Sequence, residues 1–393
     1  MYDDKATGYR ITAVALGIDA LERSRQTSKS LLDDEGLVPI FIGEGLIEPV
    51  NFSTWEEVQE SLDQLSEMIK ECPSGSRRMF LNALLSSLYT ASALFRGEQV
   101  SYSKKLTDLV GVPALEADEE VIAELHDEID QALVRRGYIN GSLRKRVESW
   151  QNSRFISVEK IPEIYGELQE EAVRRTSERI FDLGDFRMKL KLKPGTYSAG
   201  RCSFSESTME LNPDIGVTRA AIKHLVTHEN FPGHATQLLY TLDAYKRGEA
   251  TADVLLCTLN GVTGVIQEGI GDQATELIDW VEDDDDVIQI ALRRLRIAVA
   301  TTASWRLMEL NENEDRIVDY IKETGFALDP YVDGRIIQAK HPFRGPFNAS
   351  YYFGNQAVRA VRLRTGPEKY DEFIRYLYGN MHSLEGFVSF QAE

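Results

Sequence analysis

Apolar residues recur at three- to four-residue intervals through most of the chain, the spacing that turns one side of a helix toward a core. Val58, Leu62, Leu65 and Ile69 keep this spacing after Trp55, and Ser53 with Glu56 offers the start signal of a capping box. Cys72-Pro73-Ser74-Gly75-Ser76 ends that segment, and MFLNALLSSLYTASALF supplies a mostly apolar helix after it. Ile122, Leu125, Ile129 and Leu133 line one side of a third helix, from about Asp118 to Arg136. His126 lies in that helix among acidic neighbours and reads as a surface residue. A fourth helix spans about Pro162 to Ile180. Long helices resume with VIQIALRRLRIAVATTASWRLMEL and EDRIVDYIKETG, and another runs from about Tyr351 to Arg364.

Between Phe186 and Asn212 the period changes to two. Met188, Leu190 and Leu192 alternate with lysines, Pro194-Gly195 marks a turn, and Ser207-Thr208-Met209-Glu210-Leu211 resumes the alternation. The pattern predicts a mainly α protein with a small β-hairpin or three-stranded ribbon just ahead of the next helix. An edge strand of such a ribbon can pair with an extended peptide through backbone hydrogen bonds. The expected organisation is an N-terminal helical region over 1–180 and a chemistry-bearing region over 181–393, joined as one structural unit.

Composition narrows the classes. A formal net charge of −19 over 393 residues argues against nucleic-acid and anionic-membrane surfaces, which need clustered Lys and Arg. Cys72, Cys202 and Cys257 are widely separated and form no C-x-x-C unit, a usage that fits a reducing compartment. The start of the chain shows no apolar core of a signal peptide, and no window approaches eighteen uninterrupted apolar residues. The expectation is a soluble, cytoplasmic protein.

Histidine is scarce, with six in all, yet two of them flank HENFPGH: His228 and His234, with Glu229 beside the first. Neutral imidazole is the commonest protein ligand for zinc, and a neighbouring carboxylate can take a proton from water. On an unbroken helix this spacing would turn the two rings about 120° apart. Pro232 has no N–H to continue the helix, and Gly233 opens backbone angles closed to other residues. The motif therefore predicts a helix ending in His228 and Glu229, a tight break, and a new helix opening near His234. The plainer reading, two satisfied polar groups in a helix–turn–helix, leaves the convergence of His, Glu and His unexplained.

Downstream, Gly261, Gly264, Gly269 and Gly271 crowd a helical stretch, which suggests close backbone approach. Glu268 and Asp272 stand one turn apart there. Either can be a third ligand; Glu268 is favoured because a downstream glutamate completes His₂Glu zinc sites, and Glu276 is the next candidate. The run Glu282–Asp286 lacks the pattern of a calcium loop and reads as a solvated turn. Tyr351, Tyr352, Arg359 and Arg362 hold groups able to stabilise an oxyanion or bind a carboxylate, though such residues more often serve packing and surface.

HENFPGHATQ resembles the H-E-x-x-P-G-H-x-x-Q motif of domain of unknown function family 885, a bacterial family of helical, zincin-like proteins. Gln267–Gly269 is similar to that family's Glu-Gly box, and SYYFGNQAVRAVRLR to its S-Y-x-x-G helix ending in Leu-Arg. The likeness covers about 180–365. It implies a zincin-like metalloprotein fold in which His228, His234 and Glu268 bind a metal and Glu229 is the base. Tyr351 and Arg362 fall on the later motif. The family continues its Glu-Gly box with Trp-Ala and an aromatic, where this chain has Ile270-Gly271-Asp272, and its members tend to be longer.

The leading expectation is thus a zinc-dependent hydrolase acting on a short peptide or related amide, with Glu229 accepting a proton from metal-bound water and passing it to the leaving group. A helical binding protein with a structural metal is the alternative, and His224, four residues before His228, is the residue that would close such a site. A non-hydrolytic enzyme is a third possibility, because two His and a carboxylate also suit Fe(II).

Overall fold

Capping residues and apolar faces lay out a mainly α chain, 67% helical with 5% in strands. The structure, a computed structural model, describes residues 2–25, 31–32, 36–196, 200–257 and 261–391. Before the ribbon come α1 (Asp4–Ser24), β1 (Ile40–Phe41), α2 (Trp55–Lys70), α3 (Ser76–Phe95), the short α4 (Tyr102–Lys104), α5 (Glu119–Arg135), α6 (Leu143–Arg154) and α7 (Ile161–Arg179). Strands β2 (Lys189–Leu192), β3 (Gly200–Ser203) and β4 (Thr208–Leu211) follow, then α8 (Arg219–Leu225), α9 (His234–Lys246), β5 (Leu256–Cys257) and α10 (Thr263–Leu277). The chain closes with α11 (Asp284–Met308), α12 (Glu314–Gly325), α13 (Asp329–Lys340), α14 (Asn348–Arg364), α15 (Tyr370–Gly379) and α16 (Leu384–Val388). No helix among the described residues is long and apolar enough to cross a membrane.

The chain forms two compact units interleaved in sequence, and residue 180 lies inside the second. The first takes Met1–Ala114, Gln237–Gly269 and His341–Glu393. Here α1 packs on α2 and α3, with Ile11, Val14, Ile18, Leu62, Leu65, Phe80 and Leu84 fully buried. The start of α2 is one residue later than the capping pattern suggests: Thr54 accepts from the Glu57 N–H, and the Glu57 carboxylate accepts from the backbone of Thr54 and Ser53. Arg77 on α3 grips the fully buried Asp253 with both Nη atoms, at 2.7 and 2.8 Å, and so closes α3 onto the segment ahead of β5. Within the same unit α10 and α14 cross at two glycines. A Cβ on Gly269 would stand 2.3 Å from the Gly354 carbonyl oxygen, and one on Gly354 would stand 2.0 Å from that of Val265. Only the absence of both side chains lets the backbones meet there.

The second unit takes Leu115–Thr236 and Ile270–Lys340. Helix α11 is its axis and packs on α5, α8, α12 and α13, with Ile288, Ala291, Leu292, Leu295, Ala298 and Val299 shut off from water. The acidic run before it is not a solvated turn. Asp283 caps the helix by accepting from the N–H groups of Asp285 and Asp286. Asp284 pairs with Arg135, Asp285 with Arg136 and Arg154, and Asp286 with the buried Lys223. Four carboxylates at a helix N-terminus suit its positive end, which a count of charges along the chain does not reveal. His126 likewise is half-buried rather than superficial, with Nε2 2.9 Å from the Thr324 carbonyl oxygen and its ring against Phe326.

The expected ribbon is present in this unit, with β4 at its centre. β3 is antiparallel to β4, pairing Cys202 with Met209, whereas β2 runs parallel to β4, pairing Leu190 with Met209. Residues 197–199, between β2 and β3, lie outside the described residues. Both β2 and β3 are edges. Met209 and Leu211 are fully buried on one face, while Glu210 on the other meets Lys191, Lys193 and Arg201.

Candidate metal centre

The helix carrying the first half of the motif widens just where the chemistry begins. α8 passes into a single π-turn over Val226–Asn230, where the Phe231 N–H reaches back five residues to the Val226 carbonyl at 3.0 Å. Such a turn often marks a functional position. His228 and Glu229 sit on it, and α9 opens at His234. The Phe231–Pro232 peptide is cis. The chain then folds back so tightly that the Gly233 N–H donates to the Thr227 carbonyl at 2.8 Å, and a Cβ on Gly233 would stand 1.8 Å from the His228 carbonyl oxygen. No other residue fits there, and this return carries His234 back toward His228.

The two rings meet edge to face, with centroids 4.9 Å apart. One ligand atom from each, together with a carboxylate oxygen of Glu268, form a group whose members all lie within 4.8 Å of one another. His228 and Glu268 are buried and His234 is half-buried. Glu268 stands on α10 one turn before Asp272. A second group joins His224, His228 and Asp272, so His224 keeps company with Asp272 rather than with His234 and Glu268.

Two further residues shape the environment of His228. Gly271 lies under its ring: a Cβ there would stand 2.7 Å from both Cε1 and Nδ1. Asp272 places Oδ1 3.3 Å from Nδ1 and accepts a hydrogen bond from Nε of Arg293, on α11, at 2.8 Å. Burial opposes ionisation of Asp272, but the Arg293 guanidinium, with His228 and His224, holds its carboxyl well below the usual carboxylate range. Burial likewise keeps His224 neutral, its pKa lowered further by the Arg293 charge and His228. Gly271 and Asp272, adjacent on α10, are therefore both in contact with His228. Asp272 was visible in the sequence as a candidate ligand; Arg293 carried no signal there, because its partner lies 21 residues away on another helix.

Glu229 is half-buried on the same turn, and its Oε2 accepts the Cys202 N–H of edge strand β3 at 2.8 Å. That N–H points out of the sheet, so the outer edge of β3 faces the Glu229 carboxylate. Next to it, Asn230 is fully buried and donates to the Tyr165 hydroxyl, which donates in turn to the Met188 carbonyl. This chain of bonds ties the π-turn to α7 and to the residue just ahead of β2.

Tyr351 and Arg362 both lie on α14. Tyr351 packs its ring edge-on against Phe347 and precedes Gly354 by about one turn, so it stands near the crossing with Gly269, the residue after Glu268. Arg362 is half-buried, eleven residues and about 16 Å further along the axis. The glycines of the two sequence motifs, QEG and SYYFG, are the ones that meet.

No family model matches the chain, and no curated protein does. Two solved structures share its fold. One, described as a "putative lipoprotein" from Colwellia psychrerythraea, has a TM-score of 0.59 at 13% identity, covering 86% of this chain and 63% of that one. The other bears the same description, with function unknown, and comes from Shewanella oneidensis; its TM-score is 0.55 at 12% identity, covering 85% of this chain and 71% of that one. This chain thus spans less than two-thirds of the length of the Colwellia protein. At these identities the likeness is one of fold.

Proposed function

We propose that the chain is a zinc-dependent hydrolase of the metallopeptidase kind, cutting a short peptide or a related amide with Glu229 as general base. The observation that carries this reading is the gathering of His228, His234 and Glu268 within 4.8 Å, beside a carboxylate that is not one of the three. Two imidazoles and a carboxylate are the donor set that holds catalytic zinc with one position left open. The residues present fit such an ion: Gly271 makes room for the His228 ring, and the return at Gly233 brings up the second imidazole. Zinc held there supplies a Lewis acid that polarises a carbonyl and acidifies water.

The other residues have roles that follow from where they sit. The Cys202 N–H fixes Oε2 of Glu229, which leaves Oε1 to accept a proton and return it to a leaving amine. The edges of the ribbon, apart from the Cys202 N–H that Glu229 already holds, can pair with an extended peptide, which favours a peptide-like substrate over a compact one. Tyr351, near the Gly269–Gly354 crossing, is the candidate donor to the oxyanion; Arg362 is too far along α14 to share it and would orient a substrate carboxylate. The resemblance of three ordered segments to domain of unknown function family 885 supports the same assignment.

Elemental analysis of the purified protein, paired with hydrolysis of a mixed peptide library with and without chelator, tests the reading. Expected are one zinc per chain and cleavage that chelator abolishes. If nothing is cleaved under metal-replete conditions, and metal changes only the melting temperature, the ion is structural and the hydrolase reading fails.

A further inference from the structure

The His228 ring has two nitrogens, and only one can face a metal. We propose that Asp272, anchored by Arg293, is a positioning residue that fixes the tautomer and orientation of His228, so that the trio His224–His228–Asp272 is a support and not a second metal site. The inference rests on the metal reading above for its consequence, though not for its geometry.

The geometry is unusually constrained. Asp272 is 3% exposed and can only accept hydrogen bonds while ionised. Its Oδ1 receives Nε of Arg293 at 2.8 Å and faces Nδ1 of His228 at 3.3 Å. The contact falls short of hydrogen-bond geometry, yet an ionised carboxylate at that distance draws the proton of a neutral imidazole to Nδ1 by its charge, which leaves the lone pair on Nε2 for an ion. Gly271, the residue before Asp272, sets the plane of the ring by letting it lie against the helix, within 2.7 Å of where a Cβ would stand. Two adjacent residues of α10 therefore determine both the rotation and the protonated nitrogen of His228. Ligating histidines are commonly braced this way through their other nitrogen.

The same contacts argue against an ion in the second trio. Such an ion would need Nδ1 of His228 as a ligand, displacing the proton directed at Asp272. It would also sit beside the Arg293 guanidinium, in a buried setting where like charges repel strongly. His224 Nε2, 4.0 Å from Asp272 Oδ1, has no hydrogen-bond partner among the described residues, and the neutral ring fills space beside the clamp.

The test is made first without metal. In metal-free protein labelled with ¹⁵N-histidine, long-range ¹H–¹⁵N correlation reads the tautomer of each ring, and His228→Ala identifies the signals of His228. Expected is a proton on Nδ1 in the wild type, and a mixture of tautomers in Asp272→Asn and Asp272→Ala. Competition with a chromophoric chelator should then show zinc bound about 10–100-fold more weakly by both variants, while Arg293→Lys, which keeps the cation, loses less. A wild-type proton on Nε2 overturns the inference and needs no variant to fold. So does unchanged zinc affinity in folded Asp272→Ala, or a second equivalent of zinc that His224→Ala removes. A wild-type protein with the Nδ1 proton that takes up no zinc supports the clamp while removing the metal reading, so the two failures are distinguishable.

Discussion

Gly271→Ala is the most informative single substitution, because two physical effects of known size act on it in opposite directions. Position 271 is interior to α10, where replacing glycine by alanine ordinarily gains about 1 kcal/mol of helix stability. The added methyl would stand 2.7 Å from Cε1 and Nδ1 of His228 and 3.0 Å from Nε2, against a comfortable separation of about 3.5–4.0 Å. Ring or helix must give way by roughly 0.8 Å. The ring cannot swing freely, since it stands on the π-turn pinned by the Gly233 return and faces Asp272 on the very helix that pushes it. Overpacking of this kind costs about 1–3 kcal/mol, so net stability should fall by anywhere from about zero to 2 kcal/mol. Zinc affinity should fall at least about 10-fold, because a displacement of that size exceeds the roughly 0.5 Å that a preorganised site tolerates. Urea unfolding of the metal-free protein reads the first quantity and chelator competition the second. Gly269→Ala is the comparator: its methyl meets the Gly354 carbonyl oxygen at 2.3 Å, backbone against backbone, so it should cost more stability. If Gly271→Ala stabilises the protein by about 1 kcal/mol and binds zinc as the wild type does, the ring does not lie where the contacts place it and the reasoning is refuted.

Three further outcomes follow. His228→Ala and His234→Ala should each abolish stoichiometric zinc, whereas Glu229→Gln should retain it and lose about 10²–10⁴-fold in kcat; loss of zinc from the glutamine variant would make Glu229 a ligand instead. Tyr351→Phe should lower kcat at unchanged zinc content, and Arg362→Ala should mainly raise KM; the reverse pattern in steady-state kinetics would exchange their roles. Burial holds the ring of His382 down to about 4, against backbone carbonyl bonds from Tyr376 and Leu377 that pull it up. The folded value lies below the unfolded one, near 6.5. The unfolded chain therefore binds more protons between those limits, and stability, complete above about pH 6.5, is lost as pH falls toward 4, at up to about 1.4 kcal/mol per unit. His382→Phe should flatten that slope in urea midpoints measured between pH 7 and 5, and an unchanged slope would show that another group sets it.

What could be read from the sequence was local. The Pro232-Gly233 break, the end of one helix at Asn230 and the start of the next at His234 all follow from residues within seven positions of one another. The alternation from Met188 to Leu211 was enough to predict strands, yet not that β2 would run parallel to β4, because the period of two reports faces and says nothing of direction. Glycine crowding around 269–271 signalled close approach without naming the partners, Gly354 and the His228 ring. The acidic run at 282–286 misled, since its role depends on Arg135, Arg136, Arg154 and Lys223, all far off in sequence. Asp272 could be seen as a carboxylate near the site; that it faces His228 from behind depends on Arg293, which reaches it from another helix, α11.

Glu268, Gly269, Gly271 and Asp272 occupy one turn and a half of α10. With about 100° per residue, Glu268, Asp272 and Gly271 fall within an arc of about 100°, and Gly269 lies on its far side. One flank of the helix thus offers a carboxylate to the donor group, a bare patch to the His228 ring and a second carboxylate to its Nδ1. The other flank, bare at Gly269, receives α14 and with it the turn that carries Tyr351. Two interior glycines cost this helix about 2 kcal/mol of intrinsic propensity, and neither can be exchanged for alanine without striking a defined neighbour. A helix chosen for stability alone would fill both positions. That it fills neither leaves one vacancy of α10 against the Gly354 backbone and the other against the His228 ring, two contacts that Gly269→Ala and Gly271→Ala probe separately.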